Sequence, residues 1–175
     1  MKILFLDFDG VLNTDRYQAV LHSQALPTSD EFGAIFDPDA VASLRAITDA
    51  VPDLIIVIES SWKAFGLNAM RRMWKARGLP GEVFGITPHI DNEELLLSVD
   101  LDDPEAFSKL EGLGKGGEIK AWLDAHGEEV EEYVILDDVD EFRGDLKEHL
   151  IITDPREGLT QDKALGAIRR LGGGS

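Results

Sequence analysis

The feature that most constrains the fold is a set of short, nearly unbroken apolar runs separated by stretches of helical periodicity. Lys2–Phe8 stays apolar until Asp9-Gly10, apart from its first residue and Asp7. Leu54–Ile58 is rich in β-branched residues, Tyr133–Leu136 stops at Asp137-Asp138, and His149–Thr153 stops at Asp154-Pro155. Glu82–Ile86 is a fifth, less apolar candidate. Runs this short, apolar at successive positions, read as strands buried on both faces. Between them, Asp37 predicts a helix cap with Pro38 in the first turn, and Val41, Leu44, Ile47 and Val51 line one face. Further helices are expected after Trp62 to about Gly78 and from about Gly117 to His126, with Ile119, Trp122 and Leu123 inward. A last one is expected from about Thr160, with Leu165, Ile168 and Leu171 inward. This alternation predicts a three-layer, Rossmann-like α/β fold around a parallel sheet of about five strands.

Composition sets the outer bounds. A chain of 175 residues, 43% of them apolar, can bury one core, so residues 1–171 are expected to form a single domain. Gly172–Ser175 reads as a flexible tail. The stretches 14–36 and 87–114 are longer than ordinary connections and are expected to form a small cap or lid. No apolar run approaches the roughly 18–20 residues of a membrane span, so no membrane partner is expected. Asp7 and Asp9 interrupt the N-terminal run before it reaches signal-peptide length, which predicts a cytoplasmic protein. The absence of cysteine excludes a disulfide-linked partner, a thiolate metal site and a thiol nucleophile. The sequence does not give the oligomeric state.

Charge restricts the partners. The net charge of −17 repels nucleic-acid backbone at long range, so any contact with phosphate chains must be local. The one place suited to it is Ser60–Gly81, where Lys63, Arg71, Arg72, Lys75 and Arg77 occur without an acid. Trp62, Phe65 and Trp74 interleave with these cations, and such a mixture either packs a helix on the sheet or holds a single strand.

Three predicted strands end in acids or hydroxyls: Asp7-Phe8-Asp9, Ser60-Ser61 and Asp137-Asp138. Ligands of open parallel sheets bind beyond the carboxyl ends of the strands, so these groups should share one crevice. Two carboxylates about 4 Å apart repel by about 4 kcal/mol at an effective dielectric near 20. Such a set calls for a cation or raised pKa values, and hard oxygen ligands favour magnesium. In Asp7-Phe8-Asp9-Gly10 the first acid can attack phosphorus, the second can donate a proton to the leaving oxygen, and Gly10 allows the tight backbone. Other patterns lack their context. Gly112–Gly117 matches GxGxxG without a preceding strand, His22, His89, His126 and His149 show no metal spacing, and Ser60-Ser61 sits in no nucleophile elbow.

Phe5–Asn13, with Asp7, Asp9 and Gly10, resembles motif I of the haloacid dehalogenase-like (HAD) phosphohydrolases. Ser60 resembles the motif II hydroxyl, Lys115 the motif III lysine, and Ile135-Leu136-Asp137-Asp138 motif IV, all in order. Ser60-Ser61-Trp62-Lys63, Gly117-Glu118-Ile119 with Trp122-Leu123, and Thr153-Asp154-Pro155 with Gly158-Leu159-Thr160 are similar to the HAD domain of Swiss Army Knife RNA-repair proteins. Lys63 stands where that pattern has arginine, and Glu59 where it has a small polar residue. The resemblance implies a magnesium-dependent phosphatase with Asp7 as nucleophile, an aspartyl-phosphate intermediate and Asp9 as acid and base. It implies Ser60 and Lys115 on the phosphoryl oxygens, with Ser61 the rival for the hydroxyl role. Gly10, Ser61 and Lys63 would border the substrate, and Asp7, the Asp9 carbonyl, Asp137 and Asp138 would hold Mg2+. Phosphorylated RNA or DNA ends are the implied substrate, and a nucleotide or sugar phosphate is the runner-up. Two non-hydrolytic readings also exist. A phospho-acceptor module of the receiver type would carry its acceptor acid on a middle strand, unlike the order found here. An acidic binding protein would have no use for the full set of reactive groups.

Overall fold

The computed structural model describes residues 1–98, 100 and 113–173. Its main sheet has five parallel strands: β1 (Lys2–Leu6), β4 (Leu54–Ile58), β5 (Glu82–Ile86), β6 (Glu132–Asp137) and β7 (Leu150–Ile152). Their order is β5-β4-β1-β6-β7, so β1 is central, with Lys2 beside both Leu54 and Glu132. Alternate β1 side chains go to opposite faces. Leu4 and Leu6 join a core under α2 (Pro38–Ala50), α3 (Leu67–Ala76) and α7 (Gln161–Arg170). Ile3 and Phe5 join a second core with Ile119 and Trp122 of α5 (Gly114–His126) and with Phe142. The three-layer α/β arrangement read from the sequence is the one observed.

Several boundaries differ from expectation. β1 stops at Leu6, two residues early, because the chain turns at Asp7-Phe8 into the site. The helix expected after Trp62 is two elements, a 3-10 turn (Ser61–Phe65) and α3, separated at Gly66. α5 begins at Gly114, which places Lys115 in its first turn rather than in the preceding loop. His149 closes the short α6 (Asp145–His149) instead of opening β7. Leu165 points outward and is 51% exposed; the buried face of α7 is Ala164, Ala167 and Ile168.

Residues 14–36 form α1 (Asp15–Ser23) and a small hairpin, β2 (Ser29–Asp30) with β3 (Gly33–Ala34). Thr14 caps α1 by accepting from the Tyr17 amide, and its hydroxyl donates 2.7 Å to Asp37, the cap of α2. The hairpin is fastened to the end of α3, where Arg77 donates to both carboxylate oxygens of Asp30 at 3.0 and 2.7 Å. Of the second long stretch, α4 (Asn92–Ser98) is seen. The remainder of that expected cap, residues 99 and 101–112, lies outside the described residues, as do tail residues 174 and 175. Among the described residues no helix is long and apolar enough to cross a membrane.

Candidate active site

The site forms where β1, β4 and β6 end. Past Leu6 the Asp7 amide still donates to Leu136, 3.0 Å, which keeps the first acid beside β6. The chain then turns tightly, with the Phe8 carbonyl accepting from the amides of Val11, Leu12 and Asn13. Gly10 sits in this turn at φ +75°, and a Cβ there would lie 2.4 Å from Asp138 Oδ2. Only glycine satisfies both the backbone angle and the close approach of the acid. The Gly10 carbonyl accepts from the Thr153 hydroxyl at 2.7 Å, which ties the turn to the chain leaving β7.

Lys115 connects the acids. Its ammonium donates to Asp7 Oδ2 and to Asp137 Oδ2, each at 2.7 Å, and lies 3.7 Å from Glu59 Oε2. The other oxygens of the two aspartates accept backbone amides, Phe8 at 2.7 Å and Val139 at 2.8 Å. Asp7, Asp137 and Asp138 each present an oxygen within 4.8 Å of the others'. Burial raises the Asp7 pKa, with Lys115 opposing and Asp137 adding to the rise. Burial and Asp137 likewise raise Asp138. Burial works against the Lys115 ammonium, but Glu59, Asp7 and Asp137 outweigh it and hold its pKa above the ordinary lysine value. One ammonium among three aspartates leaves a net negative cluster of hard oxygen donors. That donor set fits magnesium, which binds through a few carboxylates and keeps water or phosphate on its remaining positions.

Glu59 is a member of the site that strand-end reasoning passed over. It is fully buried, and neither carboxyl oxygen has a hydrogen-bond partner among the described residues. Burial, with Asp137 and Asp7 adding to it against Lys115, pushes its pKa up to about 10. Its position next to Ser60 at the end of an apolar strand was the available signal.

Asp9 is exposed and held through both oxygens, Oδ1 accepting from Asn13 Nδ2 at 2.6 Å and Oδ2 from the Trp62 indole at 3.1 Å. Ser60 is buried at the cap of the 3-10 turn, its Oγ accepting from the Trp62 amide at 3.4 Å, whereas Ser61 is exposed. Lys63 is engaged by protein: it ion-pairs with Glu118 of α5 and donates to Thr87 Oγ1 at 2.7 Å and the Pro88 carbonyl at 3.4 Å. Glu118 also accepts from the Ile90 amide at 3.2 Å. Glu118 lies one turn beyond Lys115, and that spacing on one helix face was a legible signal. A cavity of about 1060 Å³ runs from Glu59 and Lys115 past Ser61 and Lys63 toward Trp122 and His126.

The structure thus brings Asp7, Asp137, Asp138 and Lys115 into direct contact or near contact, with Asp9 and Gly10 beside Asp138, while Ser60 is buried next to Glu59 with its hydroxyl turned to the Trp62 amide. Such a group can hold a dication, present a carboxylate nucleophile and offset charge on a phosphoryl group. A family model described as the HAD domain in Swiss Army Knife RNA repair proteins matches residues 3–164. Neither a curated protein nor a solved structure is similar enough to match.

Proposed function

We propose, since the chain belongs to the family of HAD domains in Swiss Army Knife RNA repair proteins, that it is a magnesium-dependent phosphatase acting in the cytoplasm on phosphorylated nucleic-acid ends, RNA foremost. The family points to a phosphatase-type hydrolase. The observation that carries the reading is the Lys115 ammonium, 2.7 Å from both Asp7 and Asp137. It fixes a buried carboxylate at the mouth of a negatively charged, oxygen-lined cluster, as an in-line attack on a phosphate ester requires.

Asp7, the Asp9 main-chain carbonyl, Asp137 and Asp138 are the groups that would hold Mg2+. The ion, when bound, supplies the positive charge that lets an anionic nucleophile approach an anionic ester. An Asp7 oxygen forms a bond to phosphorus as the bond to the leaving oxygen breaks, and Asp9 gives that oxygen its proton. Lys115 and the Ser60 hydroxyl offset charge on the equatorial oxygens, and Ser61 competes with Ser60 for that place. In the second half a water oxygen attacks the aspartyl-phosphate and Asp9 takes the water's proton. Inorganic phosphate leaves and the Asp7 carboxylate is restored. Gly10 keeps the backbone close to the reacting groups, while Ser61 and Lys63 line the cavity offered to the rest of the substrate.

Phosphate release tests this, with and without magnesium, from an aryl phosphate, mononucleotides, and RNA and DNA oligomers phosphorylated at either end. Magnesium-dependent turnover that Asp7→Asn abolishes, highest on RNA ends, is the expected result. Preference for a mononucleotide or sugar phosphate would move the enzyme to metabolism. A folded protein that neither turns over any substrate nor binds magnesium would be an acidic binding protein.

A further inference from the structure

We infer that Trp62 is a positioning residue for Asp9, and that the β2–β3 hairpin acts on proton transfer to the leaving group through it. The inference rests on Asp9 being the acid of the proposed reaction. Asp9 lies on an exposed turn, where its side chain would sample several rotamers if nothing held it. Asn13 and Trp62 take one oxygen each, at 2.6 and 3.1 Å. Asn13 belongs to the same turn and moves with it. Trp62 belongs to the other side of the crevice, so its indole sets where the carboxyl points relative to the β4 end. An indole N–H donates and cannot accept, so it orients the carboxyl without competing for its proton.

The indole is itself fixed from the far side. Phe8 meets it edge-on at 5.4 Å, Phe36 lies at 5.7 Å, and the Arg77 guanidinium sits 5.7 Å from the Trp62 ring and 4.5 Å over the Phe36 ring. Gly33 of β3 supports the opposite edge: a Cβ there would lie 2.8 Å from Trp62 Cη2. Arg77 also grips Asp30 of β2. One edge of the ring therefore touches the hairpin and the other holds the acid. A ring that only filled core space would need no donor aimed at an exposed carboxylate.

Trp62→Phe keeps an aromatic ring and deletes the donor. Gly33→Ala leaves Trp62 and Asp9 unchanged and pushes on the ring from the hairpin. The readout is kcat/KM on two substrates, an aryl phosphate with a good leaving group and a nucleoside monophosphate with a poor one. This ratio reports the steps through departure of the leaving group. General acid help is worth about 10²–10⁴-fold where the leaving oxygen is basic and little where it is not. Partial misplacement of Asp9 should lower the nucleotide-to-aryl ratio of kcat/KM about tenfold in Trp62→Phe, and in the same direction in Gly33→Ala. If Trp62→Phe does not fold, Gly33→Ala carries the same readout from outside the crevice. Proportional losses on both substrates, or no change in the ratio, would overturn the inference and leave the contact structural. A wild-type protein inactive on both substrates would remove the phosphatase reading, and this inference with it.

Discussion

Glu59 shows how far one side chain can depart from its ordinary chemistry. Its carboxyl ionises near 4.5 in an unfolded chain and near 10 in the folded one, chiefly because it is buried. Below the lower value both states are protonated, and the fold is not penalised. Between the two values the unfolded chain releases a proton that the folded chain retains, so stability falls as pH rises, by at most about 1.4 kcal/mol per pH unit. Glu59→Gln keeps the shape and removes the titration. Its advantage over wild type in urea melts without divalent cation should widen from pH 5 to pH 9, and a constant difference would mean that Glu59 is ionised beside Lys115. Lys115→Met should abolish phosphate release and cost about 3 kcal/mol, because two buried aspartates lose their cation. The aspartates were legible in the sequence, since they follow apolar strands at the end of a parallel sheet where ligands bind. Glu59 was not, because an acid at a strand end lies in water or in the core according to the layers above it, here α5. The same limit applies to Ser60 and Ser61, whose adjacency does not foretell that the first is buried and the second exposed.

At the level of elements, the Lys63–Glu118 pair joins the 3-10 turn to α5, and Thr87, Pro88 and Ile90 bring in the chain leaving β5. Both side chains are largely buried. Glu118→Gln would leave a largely buried ammonium without its counter-charge, and denaturant melts should show a loss of about 3 kcal/mol. The double replacement Lys63→Met with Glu118→Leu should recover most of that loss, a coupling that a surface pair would not show. The pair fastens the helix that also carries Lys115, so Glu118→Gln should lower kcat as well. The N-terminus of α5 was misread for a physical reason. Gly114-Lys115-Gly116-Gly117 has poor helix propensity, and its helical state depends on docking through Lys115 and through Asn92, which accepts the Gly114 amide at 2.9 Å. Longer patterns such as Pro38–Ala50 were legible because cap, proline and apolar stripe agree.

For the molecule as a whole, the sequence overstates the free positive charge. Of the five cations in Ser60–Gly81, Lys63 is paired with Glu118, Arg71 donates to the Val83 and Phe84 carbonyls, and Arg77 binds Asp30. Arg71, Arg72 and Lys75 are exposed, and Arg72 shares a cleft with Phe65, itself 75% exposed. Trp74 is buried in the core, so the packing and surface roles expected of the aromatics are divided between residues. If nucleic-acid ends are the substrate, Arg72→Ala should weaken oligonucleotide binding and reduce its log–log salt slope by about 0.7. An unchanged slope would favour a small substrate. The sheet has a further consequence during synthesis. The central strand pairs on one side with β4, but its other edge waits for Glu132, far along the chain. A chain that ends before Glu132 displays an apolar strand with one open edge, carrying Asp7 without Asp137. An open apolar edge of this kind is a template for pairing with other chains, and it closes only when β6, one of the last two of the five strands, pairs with β1.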